Sequence, residues 1–235
     1  LDFILATHMH YDHAGNFETI IRSEKVVIDK AYIKEYTDDE LIKKILKNYD
    51  IIKDGGVTFS GGEPLLQVEF LTELFRLARE HGIHTAIDTS GVTYSSTNEA
   101  YVAKLDELMK YTDLVMLDIK HISPDAHERL TGRPNENILA FARYLEKKEI
   151  PLWVRHVIVE GYTDKKEDLI ELGRFIGRLK NLTALDVLPY HSMGEAKYKE
   201  LGLDYPLSGM PSLDSATAKA AKEHILAGIR EARRK

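Results

Sequence analysis

The chain contains no cysteine among its 235 residues. That absence removes disulfides, thiolate nucleophiles and thiolate metal sites together. Any metal site must then be built from the ten histidines and the carboxylates. No apolar run approaches the roughly 20 residues that span a bilayer. No basic excess exists either: 32 Lys and Arg face 38 Asp and Glu, for a formal net charge of −6 and a pI of about 6.0. Such a balance excludes nonspecific nucleic-acid and anionic-membrane binding as expectations. The first residues, Leu1 to Ala6, lack a basic region, so no signal peptide is expected and a cytoplasmic location is; a monomer is expected separately. An initiator Met is also missing, as in a chain trimmed or cut from a longer one. No internal repeat, low-complexity tract or linker is present.

What remains is 43% hydrophobic and 30% charged, enough for one full core. From residue 38 onward, short apolar strands alternate with amphipathic helices. Leu41, Ile42, Ile45, Leu46 and Tyr49 fall at helical spacing and predict a helix over Asp38 to Lys53. Further helices are expected over about Leu66 to Glu80, Glu99 to Lys110, Asn137 to Lys147, Glu167 to Leu179 and Ser215 to Arg234. Strands are expected at Val57 to Phe59, Thr85 to Ile87, Leu114 to Leu117, Leu152 to Val159 and Ala184 to Leu188. The apolar run Leu114 to Leu117 suits a strand buried on both faces. The first 36 residues differ, with strands at Phe3 to Ala6 and Lys25 to Asp29 around a short helix at Phe17 to Arg22. With one N-terminal strand counted, six strands in this order suit a partial β/α barrel, with a doubly wound sheet as the alternative.

Polar residues crowd the C-terminal strand ends, where β/α barrels keep their sites. Ser60-Gly61-Gly62-Glu63, Asp88-Thr89, Asp118 with Lys120 and His121, and Tyr190-His191 end or follow their strands, and Arg155 and His156 lie within the fifth barrel strand. The plain alternative is that strand ends are polar loops. Gly61 and Gly62 let the backbone approach a ligand closely. Glu63 can accept from an ammonium group, while Lys120 and Arg155 can pair with a carboxylate. Together they suit a zwitterionic amino-acid moiety.

These blocks carry a family resemblance. Thr58 to Gln67 resembles the Gly-Gly-Glu segment of pyruvate formate-lyase activating enzymes, of the radical SAM type. Gly82 to Gly91, Asp113 to Lys120, Trp153 to Val157 and Leu188 to His191 resemble the later blocks in order. The resemblance implies a partial six-stranded TIM-like barrel over 37–235. It implies S-adenosylmethionine contacts at Gly61, Gly62, Glu63, Lys120, Arg155 and His191. It also implies a monovalent-cation site at Asp88, Thr89, Met116 and Asp118, and a glycyl-radical enzyme of the formate-lyase type as protein substrate.

The family's defining feature is a three-cysteine loop, spaced C-x3-C-x2-C, that holds a [4Fe–4S] cluster. Here that place has Thr7-His8-Met9-His10-Tyr11-Asp12-His13-Ala14-Gly15-Asn16. This segment resembles the H-x-H-x-D-H motif of metallo-β-lactamases, and residues 1–36 fit a βαβ piece of that fold. His8 and His10 can share one zinc or other divalent metal, and Asp12 and His13 a second. Metal-bound water then suits hydrolysis of an ester or lactone, with Asp12 as a catalytic residue. No downstream match to that superfamily's distal ligands appears. The chain therefore reads as a chimera, for which three functions stand. They are a cluster-less radical SAM scaffold that binds S-adenosylmethionine weakly and generates no radical, a zinc hydrolase, and a catalytically silent scaffold.

Overall fold

The structure is a computed structural model that describes residues 36–60, 63–192, 195, 198–199, 204–205 and 207–234. The strands and helix expected within the first 36 residues lie outside these.

The described chain opens with helix α1 (Asp38–Leu46), capped by a reciprocal pair: Glu40 N donates to Thr37 Oγ1 and Thr37 N donates to Glu40 Oε2. The single helix expected to run to Lys53 is two, because α2 (Tyr49–Ile52) starts afresh at Asn48. The Asn48 amide donates to Lys44 O at 3.4 Å, a side-chain bond that competes with helix continuation.

Strands β1 (Val57–Phe59), β2 (Thr85–Thr89), β3 (Leu114–Asp118), β4 (Leu152–Ile158) and β5 (Leu182–Pro189) form one sheet. All four pairings are parallel and the order is β1-β2-β3-β4-β5. The strand order never reverses. Uniform right-handed crossovers then put the described crossover helices on one face, the arrangement of a partial β/α barrel. A doubly wound sheet needs a reversal point, so the alternative is set aside.

The crossovers are a 3-10 turn (Pro64–Gln67) with α3 (Val68–Glu80), then α4 (Glu99–Met109), α5 (Pro124–Thr131) with α6 (Glu136–Lys147), and α7 (Lys166–Gly177). Helix α8 (Ser215–Arg233) follows β5. The sequence reading had no helix at α5, although Ser123 caps it, Pro124 takes its first turn and Gly132 ends it at φ 76°.

Alternation along the strands decides what each face does. Ile87, Val115, Leu117, Leu152, Val154 and Ile158 point to the helices and pack with residues such as Leu105, Phe141, Leu172 and Ile225. Helix α3 serves two layers: Leu71 and Phe75 join that core, while Leu74 and Ala78 meet Leu41, Ile42 and Ile45 of α1. The other face is less covered. Leu114 and Met116 are half-buried, and Trp153 and Leu188 are 37% and 41% exposed. The apolar run of β3 is therefore fully buried on one face only, a correction to the two-sided burial expected. The inner face of a barrel sector looks into the barrel, and among the described residues no helix layer covers it.

Candidate ligand site at the strand ends

Register builds the site. Asp88 pairs with Met116 and Asp118 pairs with Arg155. By the two-residue period, Asp88, Met116, Asp118 and Arg155 all belong to the inner face. Phe59 pairs with Ile87, so the next residue, Ser60, comes opposite Asp88.

The side chains close a network across four strands. Arg155 Nη2 donates to Asp88 Oδ1 at 2.6 Å, and Arg155 Nε donates to Asp118 Oδ1 at 3.1 Å. Lys120 Nζ reaches Asp118 Oδ2 at 3.0 Å, and Ser60 Oγ donates to Asp88 Oδ2 at 3.2 Å. The Asp118, Lys120 and Asp88 side chains are 10%, 12% and 13% exposed. Two cations and two carboxylates thus share one poorly solvated cluster, where charge interactions are stronger than in water.

Glu63 faces elsewhere. Its carboxylate is buried and accepts from Leu65 N (3.1 Å), Thr89 Oγ1 (2.5 Å), Ser90 N (3.1 Å) and Ser90 Oγ (2.6 Å). Burial pushes its carboxyl above the usual range, against the lowering effect of the Ser90, Thr89 and Leu65 hydrogen bonds. These bonds tie the chain after β1 to the end of β2, on either side of Ser60 and Asp88. Tyr101 adds a tie by donating to Leu65 O at 2.8 Å, and burial raises its phenol to about 12. The Thr89 hydroxyl is part of this clamp. Sequence alone offers Glu63 to a ligand ammonium and counts Ser60 among the strand-end polar residues, but gives Ser90 and Tyr101 no role. Ser90 lies inside the Gly82 to Gly91 block, while the Tyr101 contact spans 36 residues.

The remaining expected residues are spread out. Met116 is half-buried beside Asp88, and His191 is exposed after Tyr190. Gly61, Gly62, His8, His10, Asp12 and His13 lie outside the described residues. Among the described residues, no group of three or more His, Asp or Glu is placed to hold a metal ion.

A sequential parallel sheet with paired charges toward its C-terminal strand ends is the arrangement of a β/α-barrel protein, a class whose sites lie at those ends. The family model of the radical SAM superfamily matches residues 22–173. The pyruvate formate-lyase-activating enzyme of Staphylococcus aureus (strain USA300) is 48% identical over 194 residues, covering 82% of this chain and 77% of that one. A domain of pyruvate-formate lyase-activating enzyme from Bacteroides vulgatus ATCC 8482 superposes with TM-score 0.58 at 25% identity, over 74% of this chain and 94% of that one. SuiB of Streptococcus suis, bound to precursor peptide SuiA, shares the fold at TM-score 0.58 and 17% identity, over 85% of this chain and 41% of that one. The chain belongs to the radical SAM superfamily and, within it, to the pyruvate formate-lyase-activating enzyme family.

That family implies S-adenosylmethionine and an iron–sulfur cluster. The donor set fits the first: a ligand ammonium and carboxylate find both signs of charge at Asp88, Asp118, Lys120 and Arg155. It does not fit the second, because cluster irons take thiolates and this chain has none.

Proposed function

We propose that this chain binds S-adenosylmethionine at the ends of β1 to β4 and generates no radical from it. The supporting observation is the charge cluster Asp88–Arg155–Asp118–Lys120 in a chain of 235 residues with no cysteine.

The ligand's amino-acid end carries one ammonium and one carboxylate. Its carboxylate exchanges for an aspartate on Arg155 or Lys120, whose fixed positions make the exchange directional. Its ammonium takes an aspartate so released, and Gly61 and Gly62 are the further contacts the family resemblance implies. Asp88, Thr89, Met116 and Asp118 are the residues the family would use for a monovalent cation. Here Arg155 already bridges the two carboxylates, so it supplies that positive charge itself. The clamp at Glu63 ties the chain after β1 to the end of β2, next to Asp88. His191 is a further contact from the segment after β5.

Bound S-adenosylmethionine would supply a sulfonium whose reductive cleavage needs an electron from a cluster. No residue of this chain holds that cluster, so affinity is weakened and cleavage does not follow. The protein substrate of the family, a formate-lyase-type glycyl-radical enzyme, remains the proposed partner, in the cytoplasm. No described helix is long and apolar enough to cross a membrane. The zinc reading for His8, His10, Asp12 and His13 has no support among the described residues.

Calorimetric titration and anaerobic reconstitution test the proposal. Saturable binding of S-adenosylmethionine is expected, weakened at least tenfold by Arg155→Ala. After incubation with iron, sulfide and dithionite, 5′-deoxyadenosine is expected to stay at the level of a protein-free control. Production above that control refutes the loss of radical chemistry, and an unmeasurable affinity refutes the binding site.

A further inference from the structure

Lys120 stands two residues past the end of β3, where the strand ladder has stopped holding the chain. The last ladder bond is Ile119 N to Arg155 O at 3.0 Å. Beyond it, three of the next four carbonyl groups, those of Ile119, His121 and Ile122, are held by two buried side chains. His156 Nδ1 lies 2.7 Å from Ile119 O. Asn135 Nδ2 donates to His121 O at 2.8 Å and to Ile122 O at 2.8 Å. His121 completes the loop by accepting from Ser123 N at 3.0 Å on its Nδ1.

The chemistry of the two holders is specific. A carbonyl only accepts, so the ring nitrogen facing Ile119 O carries the proton. His156 Nε2 faces a second carbonyl, Thr163 O, at 3.4 Å. A neutral ring has one N–H, and the shorter contact takes it, which assigns the Nδ1–H tautomer. Burial favours the neutral ring. Asn135 is fully buried and spends both amide hydrogens on the loop, leaving its own Oδ1 without a partner among the described residues. An unsatisfied buried oxygen is destabilising, because it gives up its hydrogen bonds to water on folding. Simple packing would not retain it; a loop that must be held would.

We propose that His156 and Asn135 are positioning residues that fix the Ile119–Ile122 backbone and thereby aim the Lys120 ammonium at Asp118 and at the ligand carboxylate. Two of the three held carbonyls flank Lys120 directly, so release of either changes the direction of its side chain. The ligand arm rests on the binding function proposed above; the aim of Lys120 does not.

Amine-labelling rates read by peptide mass spectrometry on the full chain test the aim without any ligand. His156→Leu is expected to raise Lys120 labelling at least fivefold relative to Lys219. His156→Asn, which returns an N–H at the Nδ1 position, is expected to restore it to within twofold. Should His156→Leu not fold by circular dichroism, Asn135→Ala gives the same readout from the other carbonyls. An unchanged Lys120 rate in a folded variant overturns the proposal. In calorimetry, His156→Leu is expected to weaken S-adenosylmethionine binding about tenfold, and by less than twofold in a Lys120→Ala background. Equal losses in both backgrounds overturn action through Lys120. A labelling response in a chain that binds no S-adenosylmethionine would sustain the positioning role while refuting the ligand.

Discussion

His121, His127 and His156 are each at most 3% exposed. Desolvation holds all three below the ordinary value of 6.5. The unfolded chain therefore takes up protons at a pH where the folded chain does not. Their contribution to stability is whole above pH 6.5 and falls as pH drops below it. Glu63 has the opposite sign. Burial raises its carboxyl above 4.5, so its contribution is whole below that value and declines as pH rises through the raised one. Three groups act against one, so the thermal midpoint is expected to fall between pH 7 and pH 5. His127→Asn keeps a donor for Arg133 O, which now faces the His127 Nδ1 at 2.7 Å, and is expected to shrink that fall. Differential scanning calorimetry at the two pH values decides; a flat or rising midpoint contradicts the argument. The sequence marked Glu63 as polar and beside two glycines, but not which way it points. That depends on Thr89 and Ser90, both more than 25 residues distant.

At the scale of elements, α7 and α8 touch backbone to backbone. A Cβ on Gly173 would come within 2.0 Å of Ile225 O, and one on Gly228 within 2.0 Å of Ile170 O. Only glycine allows helices this close. Gly173→Ala is expected to force α8 away and to cost about 1–3 kcal/mol, the range for overpacking, despite alanine's better helix propensity. Urea denaturation measures it, and an unchanged midpoint would show that the helices separate freely. Periodicity made both helices legible. It could not make the contact legible, because the partners lie more than 50 residues apart. Local chemistry explains the two element errors. The Asn48 amide divides the helix that periodicity joined. In α5 only His127 is buried, so no apolar stripe marks a helix that its Ser-Pro start and Gly stop specify.

For the whole molecule, the strand order and the charged strand ends were both readable in sequence. Alternation of strands and helices implies parallel pairing, and parallel pairing brings successive C-terminal ends side by side. The linkage among those ends was not readable. That Arg155 bridges Asp88 and Asp118 follows from register, and register is set by packing along the full length of each strand. The same register puts the only tryptophan, Trp153, on the inner face two residues before Arg155. That separation is about 6.6 Å along the strand. Addition of S-adenosylmethionine is therefore expected to change Trp153 emission in a saturable way, with the curve moved to higher concentration by Arg155→Ala. A constant emission spectrum during calorimetric binding would place the ligand away from the barrel interior.

The half-open inner face has a practical consequence in a chain without thiols. Thr58 is exposed on the same face, at the first strand of the sheet. A Thr58→Cys substitution would be the sole attachment point for a maleimide dye, and Trp153 the sole tryptophan donor, excited apart from the tyrosines at the red edge of its absorption. The barrel would then hold a two-point optical ruler from β1 to β4, able to time any change in its mouth without removing a single native side chain that competes for label.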